Sequence, residues 1–208
     1  MSVAAILLAA GQSRRMGAFK PLLPFGDETV AERCVRYLRE GGAEEVLVVT
    51  GHRSEEVRRA LQHLPVSFAL NAEAESEMGE SIKRGVAELP DETDAILIAL
   101  VDQPAIPPEV PQALIEEWRR TRARLLVPEY AGRGGHPVLL DATLRPELLN
   151  LDRQRSLRAL FDKHREEVSR VPVESPYIAR DMDTWDDYRA LYLEVFRREP
   201  PASNPPAA

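Results

Sequence analysis

The sequence has one cysteine and no long apolar run, and its net charge is not basic. Among its 208 residues Cys34 stands alone, so no internal disulfide is available. No apolar stretch approaches the ~20 residues that a bilayer-spanning helix needs. The formal charge is −7, which argues against gripping a nucleic acid polymer through bulk electrostatics. No signal peptide precedes the first apolar stretch, and with a single thiol this leads us to expect a reducing, cytoplasmic setting. Cys34 falls within "VAERCVRYL", an amphipathic pattern that makes it a small core residue rather than a nucleophile. Internal repeats are absent, and a chain of this length suits one α/β domain with a sizeable core.

What is present is an alternation of short apolar runs with helical patterns. Runs rich in branched residues, of the kind buried on both faces of a parallel sheet, occupy Val3 to Ala9, Glu45 to Thr50, Val66 to Leu70 and Asp94 to Leu100. Helices are expected between them at Thr29 to Glu40, Ser54 to Gln62 and Glu80 to Glu88. The expected fold is therefore a single Rossmann-like, doubly wound, mostly parallel sheet. Beyond residue 108 a helix ("PEVPQALIEEWRR"), a strand ("ARLLVPEY") and a Gly-rich turn ("AGRGG") lead into "HPVLL", which predicts a small β-hairpin excursion. Short helices at Ala142 to Leu149 and Ser156 to Lys163, a strand at Val168 to Val173 and a helix from Thr184 to Arg197 complete a domain read as residues 1–197. The Pro- and Ala-rich remainder, 198–208, reads as a disordered tail.

The most informative stretch is "LLAAGQSRRMGAFK", Leu7 to Lys20, which follows the first apolar run. Ala10, Gly11 and Gly17 permit tight turns with outward-facing N–H groups, and Arg14, Arg15 and Lys20 add cationic side chains, so the loop suits an anion. Its glycine spacing fits neither the dinucleotide fingerprint nor the P-loop. Ligands of open α/β sheets lie at the carboxyl ends of the strands, and there "VDQPAIP" places Asp102. A carboxylate beside a triphosphate calls for a divalent cation between them, although a turn residue ahead of Pro104 is the structural alternative. Asp183, and to a lesser degree Asp181, in "ARDMDTWDDY" supply a second carboxylate, or else belong to the cap of the last helix.

Leu8, Ala9, Ala10, Gly11, Ser13, Arg15, Met16, Gly17 and Lys20 fill an L-A-A-G-x-S-x-R-M-G-x-x-K pattern that resembles the MobA-like nucleotidyltransferases. The resemblance extends over roughly residues 3 to 195 and implies the nucleotide-diphospho-sugar transferase type of fold. It implies nucleotide contacts at Leu8, Ala9, Ala10, Gly11, Arg15, Lys20, Asn71 and Ser81, the last two from "NAEAESEMGESIKRG", although Ser81 can also be read as an ordinary helix N-cap. Arg15, Lys20 and Asp102 are the expected catalytic residues, with Asp102 and Asp183 holding Mg²⁺ or Mn²⁺; Trp185 departs from the proline usual after the D-x-D-T of relatives. "RGGHP" resembles the branch that transfers CMP to molybdopterin, which assigns Gly135, His136 and Pro137 to the acceptor, and Ala10 favours CTP by the same resemblance. The implied partners are CTP, a molybdopterin-type substrate and a molybdenum hydroxylase as recipient. Three alternatives remain open: a guanylyl or other nucleotidyl transferase with a different acceptor, a non-catalytic cofactor carrier, and an oxidoreductase on the same fold.

Overall fold

The computed structural model describes residues 1–73, 78–151 and 157–201. The expected helix start at Ser156, the middle of the "NAEAESEMGESIKRG" segment and residues 202–208 of the expected tail lie outside the described residues. Within the tail, Arg198 and Glu199 pair with Asp27 and Arg189, and Pro200 is buried, so ordered contacts continue through that residue.

Strand β1 (Ser2–Ala9) is the middle of the molecule. Its odd residues, Val3, Ala5, Leu7 and Ala9, enter one core, and its even residues, Ala4, Ile6 and Leu8, enter the other. That double burial is why the run is continuously apolar rather than alternating. Fully burying each Ile or Leu contributes about 1.5–3 kcal/mol. A two-stranded ribbon, β2 (Pro24–Phe25) and β3 (Glu28–Thr29), follows the first loop. Helix α1 (Val30–Glu40) then starts at Thr29, whose hydroxyl accepts from Glu32 N while the Glu32 carboxylate accepts from Thr29 N. Next come β4 (Glu45–Thr50), α2 (Ser54–Leu61), β5 (Ser67–Leu70), α3 (Met78–Glu88) and β6 (Thr93–Leu100). The second half runs α4 (Glu109–Thr121), β7 (Leu125–Tyr130), β8 (Arg133–Gly134), β9 (Val138–Asp141), α5 (Arg145–Leu149), α6 (Leu157–Lys163), β10 (Val168–Pro172) and α7 (Trp185–Phe196).

The main sheet has the order β10-β7-β9-β6-β1-β4-β5, with β8 against β7. β1 is parallel to both β4 and β6, while β9 runs antiparallel between β6 and β7. The fold is thus α/β, doubly wound and mostly parallel. Its strand order reverses beside β1, so the carboxyl ends of β1 and β6 open side by side, with Leu8 opposite Leu100. The expected hairpin of "ARLLVPEY" with "HPVLL" is present as the antiparallel pair β7 and β9, and the Gly-rich turn between them forms a tighter one, β7 with β8, through Ala131 and Gly132, both at positive φ as a tight two-residue turn requires. The ribbon β2–β3 has no counterpart in the sequence reading, because two-residue strands carry no periodic signal.

A charged cluster ties the second half together. His164, 9% exposed, has Nδ1 2.7 Å from Glu167 Oε1 and Nε2 3.0 Å from Glu147 Oε2. Both carboxylates only accept, so the ring satisfies both as an imidazolium. Lys163 on α6 reaches Glu147 on α5 at 2.7 Å, and Arg124, just ahead of β7, reaches Glu167 at 2.7 Å. Hydrogen bonds to Glu147 and then Glu167 raise the His164 pKa from its usual 6.5. A raised folded value stabilises fully below the unfolded pKa and is lost as pH rises through the folded one. The melting-temperature gap between the wild-type protein and His164→Gln is therefore expected to be widest near about pH 5.5 and to narrow by about pH 9. A gap independent of pH would show that the imidazolium does not contribute.

Candidate functional site

The loop leaving β1 is shaped by two left-handed residues, Ser13 (φ 53°) and Gly17 (φ 67°). Met16 N bonds back to Ser13 O at 3.1 Å, and Ser13 Oγ accepts from Lys20 N at 3.1 Å. Met16 and Phe19 are buried and anchor the return, which carries Lys20 under the loop into a buried position. Gly11 differs from these. A Cβ there would meet no protein atom within 4 Å, and its φ lies outside the left-handed region. Neither packing nor conformation requires glycine at this position; its absent side chain leaves the backbone open to the cleft.

Lys20 joins the loop to two distant carboxylates. Its Nζ lies 3.3 Å from Asp102 Oδ2, just beyond β6, and 2.9 Å from Asp183 Oδ1, two residues ahead of α7. Asp183 Oδ2 takes the Arg15 guanidinium at 3.0 Å. The segment carrying Asp183 is fixed by its backbone: Met182 N donates to Asp102 O at 2.9 Å. Gln103 Nε2 donates to Asp181 Oδ1 at 2.7 Å and occupies that carboxylate. Thr184 caps α7 reciprocally with Asp187, as the sequence predicts, without using Asp183.

Asp102 Oδ1 is buried with no hydrogen-bond partner. Burial pushes the Asp102 pKa upward; Lys20 opposes this, and the nearby charges of Asp181 and Asp183 add to it. An orphaned carboxylate oxygen is a fit donor for a hard cation. Among the described residues no group of three or more potential metal ligands occurs. Asp102 and Asp183 would thus hold Mg²⁺ or Mn²⁺ as a pair, with water or phosphate supplying the remaining ligands.

Lys20 and Asp102 border a cleft of about 590 Å³ at the carboxyl ends of β1 and β6, and Asp183 joins it through Lys20 rather than lining it. Of the residues expected at a nucleotide, Leu8, Ala10, Gly11, Lys20 and Ser81 line it, as does Asp102. Three stand elsewhere. Ala9 is buried within β1, facing the core, and Arg15 is exposed against Asp183. Asn71 lies behind the wall, donating to Ser81 Oγ at 2.9 Å and accepting from Glu73 N at 3.1 Å, so it positions two cleft residues rather than bordering the space. Gly135, His136 and Pro137 are also set back from this cleft. A Cβ on Gly135 would lie 2.0 Å from Ile178 O, and His136 N donates to that same oxygen at 2.8 Å. The turn therefore braces the segment leading to Asp181 and Asp183. Burial lowers the His136 pKa, opposed by Asp181.

The sequence reading missed Gln12, Glu73 and Met78, which also line the cleft. Glu73 was legible only as the residue two beyond an Asn that closes a turn. Pro21 borders the cleft as well. Arg53 precedes α2 and holds Glu56 through two 2.6 Å bonds.

Residues 5–168 match the MobA-like NTP transferase domain. The chain belongs to this family. It is accordingly a nucleotidyltransferase-type enzyme, and its relatives span more than one named activity. It is 33% identical over 152 residues to nicotine blue oxidoreductase of Paenarthrobacter nicotinovorans, covering 69% of this chain and 73% of that one. Molybdenum cofactor cytidylyltransferase of Escherichia coli K12 is 24% identical over 200 residues, covering 91% of this chain and 97% of the relative. The crystal structure of Rv0371c from Mycobacterium tuberculosis H37Rv in complex with manganese superposes with a TM-score of 0.79 at 26% identity, covering 92% of this chain and 98% of that one.

For a MobA-like transferase, the open position at Gly11 makes a separable prediction. Gly11→Ala is expected to alter stability by no more than about 0.5 kcal/mol in denaturant titrations. Nucleoside triphosphate affinity, measured by calorimetry, is expected to fall at least about tenfold as the methyl fills ligand space. Unchanged affinity would place the nucleotide away from this loop.

Proposed function

We propose that the protein transfers a nucleotidyl group from a nucleoside triphosphate, with CTP the expected donor, to the phosphate of a molybdopterin-type acceptor. The observation that carries this reading is the convergence of the β1 loop, Lys20 and Asp102 on one cleft, with Asp183 joined to it through Lys20. An acceptor phosphate oxygen attacks the α-phosphorus, the bond from that phosphorus to the bridging oxygen breaks, and pyrophosphate leaves. The attacking phosphate is already anionic, so no general base or protein nucleophile is needed. Lys20 and Arg15 offer positive charge to the phosphoryl oxygens, the loop N–H groups add donors, and Ser81 orients the nucleoside. A divalent cation held by Asp102 and Asp183 would neutralise charge on the triphosphate. The acceptor assignment is supported by likeness to the cytidylyltransferase over nearly the full chain. The same reading includes one transferase domain over residues 1–197, a molybdenum hydroxylase as recipient and a cytoplasmic site of action. No helix among the described residues is long and apolar enough to cross a membrane.

A second reading has a specific observation behind it, the 33% identity to nicotine blue oxidoreductase. The loop after β1 lacks the glycine spacing of a dinucleotide fingerprint, which weighs against hydride transfer from a nicotinamide cofactor.

Pyrophosphate release with Mg²⁺ or Mn²⁺ and molybdenum-loaded molybdopterin, tested separately with CTP, GTP, ATP and UTP, is expected with CTP. Asp102→Asn is expected to lower that rate by about 10²- to 10³-fold while the melting transition is retained. Release with GTP alone would move the donor assignment to the guanylyl branch. Tight cofactor binding with no release from any nucleotide would identify a carrier. Oxidation of NADH or NADPH by nicotine blue, without pyrophosphate release, would favour the second reading.

A further inference from the structure

We infer that Lys20 is an exchangeable counter-ion, which neutralises Asp102 and Asp183 until a triphosphate draws it away, so that divalent cation and nucleotide bind with positive coupling. The inference rests on the proposed nucleotidyl transfer and adds to it an internal competitor for the cation.

The geometry is that of a bridge. Lys20 is 9% exposed, and its ammonium contacts one oxygen of each carboxylate, Asp102 Oδ2 at 3.3 Å and Asp183 Oδ1 at 2.9 Å. Arg15 takes the other Asp183 oxygen at 3.0 Å. Two cationic groups thus face two carboxylates, and the pair presents no net charge to an incoming divalent ion. The other nearby acids are engaged: Asp181 by Gln103, and Asp187 by the cap at Thr184. A cation taken by the orphaned Asp102 Oδ1 and by Asp183 would sit on the same two carboxylates as the ammonium, which holds Asp102 Oδ2 and Asp183 Oδ1, and like charges that close repel strongly in a partly buried site. The ammonium must therefore move for the cation to be held.

The chain also provides a destination. Lys20 and Asp102 both line the 590 Å³ cleft, beside the loop backbone at Gly11. Lys20 is held at its backbone by Ser13 Oγ, so the ammonium can leave the carboxylates only by rotation of its four-carbon stem. Triphosphate oxygens in the cleft would accept Lys20, and the carboxylates released would accept the cation. Each ligand then favours the other by the same factor, since coupling between binding sites is reciprocal.

Mn²⁺ binding to the whole protein, read from the electron paramagnetic resonance of free Mn²⁺ with no nucleotide present, tests the exchange directly. Folded Lys20→Met is expected to bind Mn²⁺ at least about tenfold more tightly than the wild-type protein. Equal or weaker binding would overturn the exchange and leave the proposed reaction standing. Wild-type protein supplies a test independent of how that variant folds: saturating Mn²⁺ alone is expected to raise acetylation of Lys20 several-fold in a mass-spectrometric footprint, and unchanged labelling with Mn²⁺ bound would also overturn the exchange. Mn²⁺ affinity undiminished in Asp102→Asn would mean that the cation sits elsewhere, and both the exchange and the metal assignment would fall.

Discussion

An ammonium group held between two carboxylates joins three remote parts of the chain into one site. Lys20 is separated from Asp102 by 82 positions and from Asp183 by 163. Burying any one of these charges alone would cost several kcal/mol, and only their mutual pairing makes the arrangement tolerable. The pairing is incomplete, since Asp102 Oδ1 has no partner. The rest of the fold can be understood as what keeps this costly cluster in register. β1 and β6 lie parallel and adjacent, so the loop that carries Lys20 and the turn that carries Asp102 emerge together. A single backbone bond from Met182 to Asp102 then draws the last segment against them.

The bracing behind the carboxylates is as specific as the carboxylates themselves. Gly135 approaches Ile178 O too closely for any side chain, His136 N donates to that oxygen, and Gln103 spans from Ile178 O to Asp181. The Gly-rich turn thereby transmits the position of β7 and β9 to the segment before α7. Residues assigned to the acceptor from sequence thus have a structural duty that would hold them in place whatever the acceptor is. Asn71 acts similarly on the opposite wall, where one buried amide fixes both Ser81 and Glu73.

Much of the fold was legible because the physics is local. Glu45–Thr50 is a strand over its expected span, and the Thr29 and Thr184 caps are written as a hydroxyl and a carboxylate three residues apart. Double burial made the central strands stand out as unbroken apolar runs. The nine-position loop pattern located Lys20 and Gly11 by resemblance to a family, and of the loop's two glycines only Gly17, at φ 67°, is set by local backbone conformation. What stayed hidden depends on contacts between distant residues. Nothing near Asn71 in the chain indicates that its side chain turns inward to hold Ser81 rather than outward to the cleft. Nor does "RGGHP" reveal that its glycine is required by a carbonyl more than forty positions away. The β2–β3 ribbon is too short to have a period at all.

A fold of this kind accommodates unlike chemistries, and the names of its relatives include a transferase and an oxidoreductase. The choice between them for this chain turns on what the cleft spends stability to keep. Hydride transfer asks for a flat apolar cradle and a diphosphate seat. It has no use for a buried lysine bridging two aspartates with one carboxylate oxygen left unpaired. Phosphoryl chemistry uses each of these: cations that can shift onto phosphate oxygens, carboxylates that can take a metal, and a loop whose glycine opens its backbone to the ligand. Polar groups that are expensive in the folded state and serve one reaction but not the other are the physical reason to favour nucleotidyl transfer.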